Sequence, residues 1–274
     1  MLRIWSWNVN KRNIWDRLVA SEVDVALLQE APTPFDGWAS RVVPSSASEW
    51  GTAGGRVRRW RSAIVAVSPT AVMEPRPLTS LDEEDPGALA VSRRGSLAVA
   101  DVTIRGETIT LVSMYAAWED PVKGHLPMEK YADASAHRLL SDLSRIVTHQ
   151  HRHRIIAAGD LNVLNRYGEH RNPYWAARYA TVFDRAEAMG LRFVGPQAPH
   201  GRQASPRPDE LPEGSLDVPT YHTRGQGPMG ATRQIDFVFA SHALTDRLVV
   251  RALNADSEEW GPSDHCRVAI ELQP

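Results

Sequence analysis

The chain has 274 residues and 42% hydrophobic content, enough to bury a substantial core, and reads as a single domain over residues 1–274. A formal net charge of −2 does not mark a strongly basic nucleic-acid binder, although local basic patches remain compatible with it. The one cysteine, Cys266, excludes an internal disulfide; no apolar leader opens the chain and no run approaches the roughly 20 apolar residues of a membrane span, so the expectation is a cytoplasmic protein with no membrane partner.

In chain order, Leu2 to Val9 and Val23 to Leu28 read as buried strands on either side of a helical stretch at Trp15 to Ala20. Arg41 to Arg61 carries five arginines against one glutamate, and Ser62 to Val67 reads as the next strand. Thr79 to Gly87 is a loop with the acidic run Asp82-Glu83-Glu84-Asp85. Leu97 to Ile104 and Thr108 to Tyr115 alternate in polarity around Arg105-Gly106-Glu107, which predicts a β-hairpin. Three- and four-residue apolar spacing predicts a helix from Tyr131 to about His149, and another from Ala176 to Met189 closed by Gly190. Ile155 to Ala158, Ile235 to Ala240 and Cys266 to Leu272 are further strands. Between them, Pro196 to Pro219 contains six prolines and is expected to be an extended surface excursion. A hairpin amid alternating helix and strand signals disfavours a purely parallel sheet and favours a mixed or antiparallel α/β layer structure.

Five of these hydrophobic runs end in polar groups of one kind. Asn8 and Glu30 each follow a buried strand and offer oxygen ligands, which suit Mg²⁺ or Mn²⁺ better than zinc. Asp160 and Asn162 follow Ile155-Ile156-Ala157-Ala158-Gly159; if the strand continues, a spacing of two turns both side chains to one face, an acceptor beside a donor able to position a water. Asp236 stands inside the apolar run Ile235-Asp236-Phe237-Val238-Phe239, where a lone carboxylate is costly unless paired. An imidazole is the obvious partner, and Asp264-His265 precedes the last strand. Singly, such residues are more often turn, cap or structural residues than catalytic ones.

As a set, Trp7-Asn8-Val9-Asn10, Leu27-Leu28-Gln29-Glu30, Val112-Ser113-Met114-Tyr115, Gly159-Asp160-Leu161-Asn162, Gln234-Ile235-Asp236-Phe237 and Ser263-Asp264-His265 resemble the endonuclease/exonuclease/phosphatase superfamily, in the order of that family and over essentially the whole chain. The resemblance implies a four-layer αββα sandwich of two mixed, largely antiparallel sheets flanked by helices, with the site at one end of the sheets. It implies metal ligation by Glu30 and Asn8 with Asp264 contributing, water activation by Asp160, and a phosphate or water contact from Asn162. It further implies that His265 stabilises phosphorane charge, Asp236 orients His265, and Tyr115 contacts the phosphate. The implied reaction is Mg²⁺-dependent phosphoester hydrolysis, with Mn²⁺ as an alternative.

The substrate is less legible. Abasic-site nucleases of this kind usually carry a tryptophan pair where this chain reads Pro219-Thr220-Tyr221-His222-Thr223, and inositol polyphosphate 5-phosphatases carry a Trp-Cys-Asp-Arg motif that is missing here. Arg56, Arg58, Arg59 and Arg61 around Trp60, with Trp50 nearby, suit phosphate contact and base stacking, as does Trp118 beyond Tyr115; all have a packing or solvated-loop reading as well. The cations and histidines of Arg145 to Arg154 read most simply as a helix C-terminus. Asp256, Glu258 and Glu259, just before Ser263, oppose a polyanion. A nuclease acting on DNA or RNA is the leading reading. A phosphomonoesterase or a lipid or small-molecule phosphodiesterase is the alternative, and a silent binding module fits poorly because no candidate catalytic residue is missing.

Overall fold

The computed structural model describes residues 1–44, 50, 60–83, 85–117, 132–147 and 153–274. Its strands in chain order are β1 (Leu2–Asn8), β2 (Val25–Pro32), β3 (Val42–Val43), β4 (Trp60–Ala66), β5 (Val72–Pro75), β6 (Leu78–Ser80), β7 (Leu89–Val91), β8 (Leu97–Ile104), β9 (Glu107–Tyr115), β10 (Ile155–Asp160), β11 (Leu191–Gly195), β12 (Asp236–Ser241), β13 (Leu248–Leu253) and β14 (Arg267–Leu272). The α-helices are α1 (Trp15–Val19), α2 (Ala132–Leu143), α3 (Pro173–Ala188) and α4 (His242–Thr245). One six-stranded sheet runs β13-β14-β1-β2-β4-β3, the other β11-β12-β10-β9-β8-β5, and β6 and β7 pair separately. Each large sheet has a single parallel pair at its centre, β1 with β2 and β10 with β9; the other pairings are antiparallel.

Period-two alternation sorts the side chains into layers. Leu2 and Ile4 of β1 and Val25 and Leu27 of β2 join Ala98, Ala100, Ile156, Ala158 and Val238 in the core between the sheets. Trp7, Ala26 and Leu28 face outward, onto Trp15 and Leu18 of α1 and Trp38. Leu139, Leu140 and Leu143 of α2 and Val182, Phe183 and Ala186 of α3 cover the outer face of the second sheet with Val112, Phe237 and Phe239. These three apolar layers define the αββα sandwich.

The hairpin forms as expected, with Arg105 (φ 52°) and Gly106 (φ 81°) both left-handed, the geometry of a two-residue turn between twisted strands. Helix α3 begins earlier than its apolar spacing suggests, at Pro173, because Asn172 caps it by accepting a hydrogen bond from Tyr174 N (3.0 Å). Helix α2 ends at Leu143, short of the predicted His149; residues 148–152 lie outside the described residues. The proline-rich excursion carries no helix or strand, yet its last residues Asp217, Val218 and Pro219 are buried. Gln234 binds it down, accepting from Val218 N (2.8 Å) and donating to Pro196 O (2.8 Å).

The topology collects polar groups at one end of the sandwich. The parallel pairs β1/β2 and β9/β10 all finish there, while β12 and β14 begin there; Asp160 is in register with both Tyr115 and Asp236. Gly159 permits this arrangement. At φ 153°, a Cβ on it would lie 1.9 Å from Met114 O of the neighbouring strand, so only glycine lets β10 and β9 approach.

Candidate active site

Glu30 is not simply the exit of a strand. β2 continues to Pro32, and the pairing with β4 shifts between Leu28 and Ala31, so one extra residue is accommodated in a β-bulge. Glu30 occupies it in the left-handed region (φ 48°), which re-aims its carboxylate into a cleft of about 490 Å³. The cleft is lined also by Asn10, Tyr115, Asp160, Asn162, Tyr221, Arg233, Asp264 and His265 among others.

On the cleft floor, the two sheets are stitched together by the candidate residues themselves. Asn8 Nδ2, from β1, donates to Asp160 Oδ2 of β10 at 2.9 Å, and Asn8 Oδ1 accepts from Asn10 N at 3.0 Å. Below them Gln29 Nε2 donates to Ser113 Oγ (3.0 Å), whose hydroxyl donates to Leu28 O (2.7 Å). Asp160 is 1% exposed, and this burial raises its carboxyl pKa well above the usual carboxylate range. The charge of Asp236 pushes the same way; the positive charge of His265 and the hydrogen bonds from Asn8 and Asn162 oppose it.

Asn162 reaches Asp160 by a different route from strand alternation. The strand stops at Asp160 and Asn162 is left-handed (φ 51°), folded back so that its backbone N donates to Asp160 Oδ1 (2.9 Å) and its Nδ2 to Asp160 Oδ2 (3.1 Å) and Ala116 O (2.9 Å). The expected juxtaposition is present, but a turn makes it.

His265 and Asp236 form the anticipated pair: Nδ1 and Oδ2 are 2.9 Å apart, and both side chains are almost wholly buried. Burial alone would lower the imidazole pKa; the Asp236 charge, its hydrogen bond and the nearby charges of Asp160 and Asp264 outweigh it and raise the value to about 10. Nε2 then faces Asp160 Oδ2 at 4.0 Å across the cleft, too far for a direct hydrogen bond. Tyr115 is largely buried, which together with the Glu30 and Asp160 charges pushes its phenol pKa far upward, so the hydroxyl stays a donor.

Several site residues were not singled out by sequence. Thr220 Oγ1 accepts from Ile235 N and Asp236 N (3.1 Å each) and so fixes the start of β12; Ser263 Oγ donates to Asn8 O (2.6 Å) and accepts from His265 N (3.1 Å). Tyr221 forms isolated bridges to both His265 and Arg233, and its ring lies 5.0 Å from the imidazole. Lys11, left-handed at φ 62°, places Nζ 2.6 Å from Glu30 Oε2 and 5.1 Å from the centre of the Trp60 ring. Proximity of the Pro219-Thr220-Tyr221 segment to the motif Gln234-Ile235-Asp236 was the available signal for Thr220 and Tyr221; nothing in the sequence marks Lys11.

Among the substrate-contact candidates, Trp60 packs edge-on against Tyr115 (5.2 Å, 87°), beside the site. Arg59 and Trp118 lie outside the described residues, as do Arg56, Arg58, His149 and His151. Trp50 is buried in the core beneath the first sheet. His153 is buried too, with Nδ1 2.6 Å from Ser241 Oγ, a structural placement.

The sequence profile of the Endonuclease/Exonuclease/phosphatase family matches residues 5–265, and the chain belongs to that family. Similar solved structures include an AP endonuclease from Archaeoglobus fulgidus (18% identity, TM-score 0.62, 100% of both chains) and a 3'-5' exonuclease from Neisseria meningitidis (22%, 0.60, 100% of both chains). The endonuclease domain of TRAS1, a telomere-specific non-LTR retrotransposon, is similar at 19% identity and TM-score 0.62, covering 100% of this chain and 99% of that one. No curated protein sequence matches the chain. Among the described residues, no helix is long and apolar enough to cross a membrane.

Proposed function

We propose that the chain is a divalent-metal-dependent phosphodiesterase acting on nucleic acid. The observation that carries this reading is the meeting of two hydrogen-bonded groups, Asn8–Asp160–Asn162 and Asp236–His265, 4.0 Å apart at the floor of the cleft that holds Glu30 and Asp264.

The residues fit a hard cation. Glu30 Oε2 is buried and accepts no well-directed hydrogen bond, and the Lys11 ammonium already stands against it, so the position draws positive charge. Asp264 lines the same cleft, with only a marginal 3.5 Å contact from Ser263 Oγ. Among the described residues no three His, Cys, Asp or Glu side chains converge on one point. Glu30 and Asp264 would therefore hold the ion with the remaining lone pair of Asn8 Oδ1, leaving other positions to water and substrate oxygen. That division is characteristic of Mg²⁺, and Mn²⁺ shares it. When bound, the ion supplies Lewis-acid stabilisation of charge on a phosphoryl oxygen.

The remaining chemistry belongs to the chain. Asp160, made more basic by burial and aimed by Asn8 and Asn162, takes the proton of the attacking water. His265, held as an imidazolium by Asp236, donates from Nε2 to the phosphoryl oxygens as negative charge develops. Tyr115 and Asn162 position the phosphate.

Nucleic acid as the substrate class is supported by the nuclease neighbours and by a further one described as a 3' phosphatase from Neisseria bound to product DNA hairpin (20% identity, TM-score 0.58, 100% of both chains). Trp60, with the Lys11 cation over its ring, supplies a stacking surface beside Tyr115, and Arg59 and Trp118 belong to the same proposed substrate-contact set. The phosphatase neighbour also keeps terminal phosphomonoester removal as a second reading. The test is an activity panel with Mg²⁺ and Mn²⁺ over single- and double-stranded DNA, RNA, 3'-phosphorylated ends and small phosphoesters. Internal or terminal cleavage of oligonucleotides supports the proposal; exclusive release of phosphate from monoesters replaces it with the second reading.

A further inference from the structure

Arg233 stands immediately before the Gln234-Ile235-Asp236 motif and lines the cleft that holds Asp160 and His265. Among the described residues of that lining it is, apart from His265, the one cationic side chain; Glu30, Asp160, Glu169 and Asp264 are acidic. Its backbone is fixed: Arg233 O accepts from both Thr220 N (2.8 Å) and Tyr221 N (3.1 Å), which ties it to the residue whose ring lies against His265. Its guanidinium is held by two loose ion pairs. The nearest carboxylates, Glu169 Oε1 and Glu210 Oε1, are 3.7 and 4.0 Å away, close enough to hold the charge in the cleft wall and too far for hydrogen bonds. The side chain is 38% exposed, so its N–H fork is open to a ligand in the cleft.

The geometry points to Arg233 as a second phosphate contact, binding a linkage that flanks the scissile one in a single-stranded polynucleotide. This deepens the proposed function, on which it rests. A reacting phosphate is already provided with Glu30, Asn162 and His265; an arginine fork further along the same wall, separated from His265 by Tyr221, suits another phosphate on the same strand. The planar fork matches two phosphate oxygens at once, which an ammonium cannot do. Such a contact selects a polynucleotide over a small ester, because only the former carries a neighbouring phosphate.

Binding is measured by fluorescence anisotropy with a short labelled single-stranded oligonucleotide in Mg²⁺, using Asp160→Asn to suppress cleavage, with and without Arg233→Ala. The expected loss is on the order of tenfold to a hundredfold in affinity. The slope of log affinity against log salt should also shrink by about 0.7, one phosphate contact on a single strand. A neutral methylphosphonate placed in turn at each linkage flanking the scissile one should weaken Asp160→Asn at one position by the same factor and leave Asp160→Asn/Arg233→Ala little changed there. Arg233→Lys should recover part of the affinity, which a variant that merely failed to fold would not do. Equal affinity with and without Arg233, or equal sensitivity to the methylphosphonate in both proteins, overturns the inference. Loss of the proposed function looks different: Arg233-dependent binding would persist while the wild-type chain hydrolysed no phosphodiester.

Discussion

Replacing Asp236 with asparagine keeps the side-chain shape and removes the charge that faces His265 Nδ1 at 2.9 Å. In the wild type, burial lowers the imidazole pKa and the Asp236 charge, with smaller help from Asp160 and Asp264, more than reverses it to about 10 against an ordinary 6.5. That difference corresponds to roughly 5 kcal/mol in favour of the imidazolium. With Asp236 neutral, burial regains the upper hand and His265 is expected to lose its proton at or below the ordinary value. Two-dimensional NMR of ¹⁵N-histidine-labelled protein, titrated from pH 5 to 10, reads this directly. The sign for stability follows from linkage. Because the folded pKa lies above the unfolded one, the contribution is complete below pH 6.5 and is lost as pH rises toward about 10. Urea midpoints of the wild type should therefore fall across that window, and those of Asp236→Asn should fall much less. Hydrolysis by Asp236→Asn should drop on the order of a hundredfold or more at neutral pH. If His265 titrates identically in both proteins, Asp236 is not what holds it protonated, and the reasoning fails.

Gly159→Ala forces a Cβ into Met114 O and should cost about 3 kcal/mol or more, read as a lowered thermal midpoint; an unchanged midpoint would show that β9 and β10 can part there. Thr220→Val removes the shared acceptor for Ile235 N and Asp236 N, with an expected loss of about 1–3 kcal/mol in urea denaturation. Glu30→Gln should weaken Mn²⁺ binding at least about tenfold by isothermal calorimetry while leaving the fold intact, since carboxylate charge sets the affinity of such sites. Equal Mn²⁺ affinity would remove Glu30 from the ligand set.

Much of the sandwich was legible because its strands are short alternating or apolar runs with clear ends. β1, the β8–β9 hairpin and β12 fall within a residue or two of their predicted bounds. Local pattern served less well where long-range contacts decide the geometry. The apolar run before Glu30 predicts a strand end there, yet the pairing of β2 with β4 continues past it and creates the bulge that aims it. Strand periodicity predicts that Asp160 and Asn162 share a face; in the protein a left-handed turn brings them together. The proline-rich excursion looked like surface, but Gln234 draws its end inward and delivers Thr220 and Tyr221 to the site. Arg233 and Lys11 carry no pattern at all; only the fold shows that one lines the cleft and the other stands on Glu30.

In the proposed reaction Asp160 and His265 act across one cleft on a phosphodiester. The most direct measurement is the single-turnover rate of oligonucleotide cleavage in Mg²⁺ by the wild type, Asp160→Asn and His265→Ala, with folding verified by circular dichroism. Each substitution should slow cleavage by on the order of a hundredfold to ten-thousandfold. Folded variants that cleave at the wild-type rate would contradict the account.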